Sequence, residues 1–276
     1  MTQALTSPDS ATVGYQTRSL TRALAILDAF STGQQVLTIK ELHERLDLPK
    51  PTISRLAREL ARGGYLRNAG RAYELGPKTF ELGSLFIRQR RLDDLGQTHL
   101  SALAAKTLQT ASLALLAGTD MIHVIVAPSP HPIQHVTEVG SRAEAHATGL
   151  GKALLAALPE EDVPSLLGSR PLTRLTVNTI GDVETLMEEL SRIRERGFAL
   201  NNEETAIGLK CVAVAADLPA VGSAAVSVSG PAADYTDERI PIFVEEVKAT
   251  VAALEDALGR GRDYPHRLDA STAIRD

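Results

Sequence analysis

The order of hydrophobic periodicities predicts an α+β chain, with three short helices and a small hairpin first and then an antiparallel sheet flanked by helices. Three observations carry that prediction. Up to about residue 83 the apolar residues recur at helical spacing, broken only by a strand–turn–strand around Gly70. Further on, the runs TASLALLAG, MIHVIVAP, KCVAVAAD and GSAAVSVSG read as strands. Charge divides at the same place: residues 1–83 hold 11 Lys/Arg and 8 Asp/Glu, whereas the other 193 hold 18 and 26, within a chain of net charge −5. A small basic part on a larger acidic body fits one region that meets a polyanion and another that does not.

SLTRALAILDAF, residues 19–30, sets Leu20, Ala23, Leu24, Leu27 and Phe30 on one helical stripe, and Thr32-Gly33 ends it. A second helix opens at Thr38 with Glu41 three residues on, the spacing of a capping box. Ile39, Leu42 and Leu46 form its apolar side, and Asp47-Leu48-Pro49 makes a tight turn. Pro51 suits the first turn of a third helix, where its missing N–H costs nothing. Advancing ~100° per residue places Ile53, Leu56, Ala57 and Leu60 together. Arg55, Arg58 and Arg62 then fall on the opposite side, flanked by Ser54.

Gly63-Gly64 supplies the C-cap. YLRNAGRAYEL reads as a hairpin about Asn68-Ala69-Gly70, with Arg67 and Arg71 near its tip. This is the outline of a winged helix-turn-helix, whose second turn helix lies in the DNA major groove while the wing touches flanking phosphate. Arginine neutralises phosphate and grips guanine edges, and Thr and Ser hydroxyls bond either. A basic helix face alone is more often merely solvated; the turn length, the Pro and Gly placement and the hairpin together decide for nucleic acid.

The domains follow: a disordered tail over 1–17, the winged helix-turn-helix over 18–83, a largely helical linker over 84–108 interrupted near Gly96, a second domain over 109–259 and a flexible tail over 260–276. In the second domain, Gly118-Thr119-Asp120 turns one hairpin and PIQHVTEVG is a candidate third strand. Gly149-Leu150-Gly151-Lys152 opens a helix through Leu158, and 183–196 is a charged amphipathic helix stopping at Gly197. A last helix starts near Thr236 and buries Ile240, Val244, Val247, Val251, Leu254 and Leu258. No run approaches the ~20 apolar residues of a membrane span. No basic-then-apolar leader opens the chain, and the lone Cys211 suits a reducing compartment, so a cytoplasmic location is expected.

Few residues carry chemistry. HATGLGKALLA, 146–156, puts small residues and free backbone N–H groups at a helix start, which serves either an anion or close packing. It lacks the glycine spacing of a phosphate loop. Cys211 has no His/Asp partner pattern beside it and reads as a small hydrophobe rather than a nucleophile. Ser227 and Ser229 share one face of a strand, either a polar pocket wall or a solvent-facing edge. His123, His131, His135 and His146 lack a completing Cys or carboxylate set, so neither metal nor cofactor is expected. Glu203-Glu204 reads as a solvated loop pair. An enzyme with Cys211 as nucleophile and an accessory DNA-binding module stands as the rival reading.

Taken together, SLTRALAILDAF, TIKELHERLDLPKPTISRLARELARGGYLRNAGRAYELG, HATGLGKALL, RGFALNNEETAIGLKCVAVAAD and AAVSVSGP resemble the IclR family of bacterial transcription regulators over about residues 18–258. The resemblance implies a non-enzymatic regulator: a winged helix-turn-helix, a linker helix and a GAF-like effector-binding domain. It implies dimers, often paired into tetramers, on palindromic double-stranded operator DNA near a catabolic operon. By the match, Lys50, Pro51, Thr52, Ser54 and Arg55 meet DNA, and Arg18 and Arg22 approach phosphate from the first helix. Helix geometry adds Arg58, and the wing adds Arg67 and Arg71. For the effector the match implies Gly149, Leu150, Cys211, Ser227 and Ser229. Asn201 stands where relatives binding small acids place an acidic residue, which removes a formal charge and leaves a larger carboxylate, an aromatic acid or a neutral metabolite as the effector.

Overall fold

Helix α1 covers Ser10–Asp28 and tightens into a 3-10 turn over Ala29–Thr32. It starts eight residues inside the stretch expected as a tail; after Pro8 only Gly14 opposes a helix, at a cost of about 1 kcal/mol. The structure, a computed structural model, describes residues 10–32, 35–89, 92–131, 137–168, 171–218 and 221–259; His135 and the tail 260–276 lie outside them. The chain divides into two units, Met1–Ile87 and Arg88–Asp276.

In the first unit β1 is Leu37–Thr38, α2 Ile39–Leu46, α3 Lys50–Arg62, β2 Leu66–Ala69, β3 Ala72–Leu75 and α4 Pro77–Gln89. Thr38 caps α2: Glu41 N donates to Thr38 Oγ1 at 3.2 Å, and Thr38 N donates back to Glu41 Oε2 at 2.8 Å. Thr38 also pairs with Ala72, so β1 adds a third strand to the hairpin in the order β1-β3-β2, too short for periodicity to reveal. Ile26, Phe30, Leu37, Leu42, Ile53, Leu56, Ala57, Leu66 and Tyr73 form one core.

The apolar stripe on α1 differs from the expected one. Ile26 is fully buried, whereas Leu20 and Leu24 are 61 % and 52 % exposed. At ~100° per residue they lie roughly 120–160° round the helix from Ile26, outside the arc that a three-helix core can cover.

The second unit opens with one π turn, Leu92–Gly96, then α5 Gln97–Thr107. Part of the stretch expected as linker is therefore core: Leu100, Leu103, Ala104 and Thr107, spaced as one face of a helix, are all buried. There follow β4 Thr110–Ala117, β5 Asp120–Ala127, β6 Arg142–Glu144, α6 Gly149–Ala156, α7 Asp162–Leu167, α8 Val183–Arg196, β7 Ala199–Asn202, β8 Leu209–Leu218, β9 Gly222–Pro231 and α9 Arg239–Gly259. Beside β5 the sheet carries β6; of the candidate strand 132–140, residues 137–140 run into a turn and 132–136 lie outside the described residues.

The sheet is antiparallel, in the order β6-β5-β4-β9-β8-β7. Strand β9 is therefore central, with alternate residues on opposite faces. Ala225, Cys211, Ala213, Ala114 and Met121 meet Leu150, Ala153 and Leu154 of α6 and Leu186, Leu190 and Ile193 of α8. Helices α5 and α9 pack against the strands from the other side.

Candidate nucleic-acid interface and effector site

Helix α3 starts at Pro49, which takes the cap position without a side-chain hydrogen bond, and Pro51 occupies its first turn. Ile53, Leu56 and Ala57 are buried against α1 and α2, while Lys50, Pro51, Arg55 and Arg58 are exposed and Thr52 and Ser54 are half-buried. The turn before it is held at both ends. Asp47 adopts a left-handed conformation (φ 50°) with its N–H on His43 O, and His43 Nδ1 lies 2.8 Å from Leu48 O. Gly63 closes α3 and Gly64 turns the chain at φ 78°, a conformation favouring glycine.

The basic residues are not equivalent. Arg62 pairs with Glu59 at 2.9 Å, and Arg67 pairs across the hairpin with Glu74 at 2.7 Å. Arg58 Nε donates to Ser54 O at 3.1 Å, which lays its guanidinium along the helix without neutralising it. Arg55 and the hairpin-tip Arg71 are exposed, with no ion pair among the described residues. Arg18 and Arg22, one turn apart on α1, are exposed as well. The free charge is thus centred on α3, and the wing contributes it chiefly through Arg71.

In the second unit the effector candidates meet across the strands. Asn201 is the register partner of Cys211, Cys211 of Ser229, and Ser227 of both Ala213 and Ser112. Helix α6 covers this row so closely that a Cβ on Gly149 would come 2.9 Å from Cys211 Sγ, and one on Gly151 would collide with Ala145. Thr148 caps the helix, accepting from Gly151 N at 2.9 Å, and the Leu150 N–H of its first turn lies on the Cys211 thiol. Burial pushes the Cys211 thiol up to about 12, against weaker opposing contributions from the Ser227 hydroxyl, Lys152 and Leu150 N–H. Such a thiol carries no thiolate at neutral pH.

Lys152 and Glu204, 1 % and 5 % exposed, form an ion pair at 2.6 Å. Lys152 Nζ also donates to Leu200 O at 2.8 Å, and Thr179 Oγ1 donates to Glu204 O at 2.6 Å, so the pair fastens α6 to the end of β7 and the loop after it. Asn201 completes the fastening. Its Nδ2 donates to Ala147 O at 3.1 Å and Thr205 Oγ1 at 2.6 Å, and its Oδ1 accepts from Glu204 N at 2.9 Å.

Residues 19–70 match the IclR helix-turn-helix domain, and residues 86–256 match the C-terminal domain of the bacterial transcriptional regulator IclR. The chain belongs to the IclR family. Over 255 residues it is 34 % identical to the HTH-type transcriptional regulator BhcR of Paracoccus denitrificans, covering 91 % of this chain and 90 % of that one. A crystal structure of an IclR regulator from a Silicibacter species superposes with a TM-score of 0.80 at 24 % identity, over 87 % of this chain and 96 % of that one. An IclR homologue from Microbacterium hydrocarbonoxydans, solved with 4-hydroxybenzoate, gives 0.72 at 23 % identity, over 87 % and 99 %.

Within this IclR-family frame, Gly149, Leu150, Cys211, Ser227 and Ser229 come together on one face, as Asn201 does through its backbone. The Asn201 amide is occupied by three internal hydrogen bonds, so the expectation of it as a pocket group that sheds a charge needs correction: the buried negative charge at this corner is Glu204, neutralised by Lys152. Glu204 is likewise not the solvated loop residue expected of a Glu-Glu pair. Ser227 is 1 % exposed on a central strand, so it does not lie on the solvent-facing edge that the sequence left open. Sequence reasoning passed over Ser112, Lys152 and Glu74, whose roles depend on strand pairing and long-range contact. Only the alternation Ser112/Ala114 on β4 hinted at the first. Of the histidines, His146 sits in a 3-10 turn with Nε2 2.9 Å from Thr173 O.

Proposed function

We propose that this IclR-family regulator binds palindromic double-stranded operator DNA through α3 and the hairpin, and that a small carboxylate or aromatic metabolite held in the second unit alters that affinity. The observation that carries the reading is the outward ridge of Arg55 and Arg58, opposite the buried Ile53, Leu56 and Ala57. Lys50, Thr52 and Ser54 lie at the end of α3 that recognition helices present to base edges. Arg18, Arg22 and Arg71 supply phosphate contacts; Arg67 contributes less while Glu74 holds it. The 4-hydroxybenzoate complex of the Microbacterium homologue supports a carboxylate effector.

The protein acts as a homodimer or homotetramer in the cytoplasm, on an operator beside a catabolic operon. Dimerisation is supported by apolar side chains left in solvent on the first unit: Leu20 and Leu24 on α1, Phe80 (79 % exposed) and Phe86 on α4. Two α3 helices on a symmetric dimer read half-sites one helical turn, or a multiple, apart. An effector preferring one arrangement of the second units changes DNA affinity by their coupling free energy, typically ~1–3 kcal/mol. The rival enzyme reading has little support, because the Cys211 thiol is buried and raised to about 12.

The test is binding of the purified protein to DNA fragments from upstream of its own and adjacent genes. A saturable complex on a palindromic fragment, weakened in Arg55→Ala/Arg58→Ala at unchanged circular dichroism, is expected. The same affinity in that double variant would overturn the assignment.

A further inference from the structure

The hairpin of β2 and β3 carries three charged side chains, Arg67, Arg71 and Glu74. Arg67 and Glu74 are direct register partners, so their side chains leave the hairpin on the same face. That face is the one opposite Leu66 and Tyr73, which enter the core. Arg67 Nε lies 2.7 Å from Glu74 Oε1, and the side chains are 67 % and 26 % exposed. The carboxylate is therefore the more fixed partner, and the guanidinium is the one with room to move. Arg71, at the tip, is exposed and has no ion pair among the described residues.

Two arginines beside a duplex ordinarily neutralise two phosphates and release the counterions of both. Glu74 changes that. While Arg67 stays on Glu74, the pair meets the DNA backbone with no net charge. When Arg67 leaves for a phosphate, an unpaired carboxylate remains within a Debye length, ~10 Å, of that phosphate and repels it. Either way the hairpin presents one net positive charge. An exposed ion pair of this kind adds little to folding, so its main effect falls on what the hairpin binds. The end of α3 repeats the arrangement, with Glu59 2.9 Å from Arg62.

We propose that Glu74 restrains the wing: it withholds Arg67 from the DNA backbone, so that the hairpin delivers one phosphate-neutralising cation, Arg71, instead of two. This rests on the reading of the first unit as the DNA-binding domain. A phosphate contact carries no base information, so Glu74 lowers affinity for every duplex alike and leaves the choice among sequences to α3. Its role is to set how tightly, and with what salt sensitivity, the regulator holds DNA of any sequence.

The experiment titrates the full chain onto a random-sequence duplex by fluorescence anisotropy, between about 50 and 200 mM KCl. Glu74→Gln is expected to bind about threefold or more tighter at the lower salt, with a log–log salt slope steeper by about 0.9 for each hairpin engaged. Arg67→Ala should weaken the wild type by less than about twofold, yet remove the whole gain when added to Glu74→Gln. Arg71→Ala, by contrast, should flatten the slope by about 0.9 on its own. Weaker binding by Glu74→Gln would show that Glu74 positions Arg67 for a phosphate, and would overturn the proposal. An unchanged slope in Glu74→Gln, or a loss in Arg67→Ala equal to that in Arg71→Ala, overturns it as well. The regulator reading survives each of those outcomes while the wild type binds DNA and Arg55→Ala/Arg58→Ala loses affinity; no duplex binding by the wild type ends both.

Discussion

Helices α3 and α6 each place a lysine within their first four residues, but Lys50 stands in solvent and Lys152 is 1 % exposed. Helix α3 buries only Ile53, Leu56 and Ala57 and turns its cations outward, whereas all eight residues of α6 are buried. An exposed charge adds little to stability and remains available to a polyanion. A buried one must be matched, and Lys152 is matched twice, by Glu204 and by Leu200 O. One residue type thus recognises in the first unit and fastens in the second, and the surroundings make the difference.

The sharpest break of that contrast is Lys152→Met, which leaves Glu204 buried without its counter-charge. Loss of one partner of such a pair costs about 3–5 kcal/mol. Lys50→Met should stay within about 0.5 kcal/mol. Urea midpoints of the two variants check this, and equal midpoints would dissolve the distinction. Next in size, Arg55→Ala and Arg58→Ala should each cost about 1–3 kcal/mol of operator affinity where they grip a base, and each lost phosphate contact should lower the salt slope by about 1. Anisotropy titrations between 50 and 200 mM salt, about a thousandfold or more in affinity for a typical phosphate contact set, would show it.

Smaller still is the loss of the α2 cap: Thr38→Ala should destabilise by about 1 kcal/mol in thermal melts. The Thr38 backbone N–H, and then its hydroxyl, hold the Glu41 carboxylate below its ordinary range. The stabilisation is full above that ordinary range and fades as pH falls through the lowered value, so the gap between wild type and Glu41→Gln should narrow in acid. The smallest signal is at Cys211: native protein at pH 8 should take up almost no iodoacetamide, because its thiol titrates at about 12. Rapid labelling would revive the enzyme reading.

Much of the first unit was readable beforehand, since its signals are local. The capping box, the Pro and Gly positions and the opposed faces of α3 each depend on residues within one or two turns. The misplaced stripe on α1 shows the limit: Leu20 and Leu24 are as apolar as Leu27, and only the packing of α2 and α3 selects Ile26 and Phe30 as the buried direction. In the second unit the four long strands were legible, but the short β6 and β7 were not, and the site was not complete. Ser112 joins Ser227 only because β4 pairs with β9, across more than a hundred residues of chain.

By itself the sequence determined the α+β order, the helix-turn-helix with its outward arginines and the family, because propensity, capping and periodicity act between near neighbours. The tertiary structure decided which charges are free and which are held: Arg55 against Arg67, Lys50 against Lys152, and the Asn201 amide turned onto Ala147. Those outcomes depend on which distant group arrives within about 3 Å and on how much water is left beside it, and neither is written in any local stretch of residues.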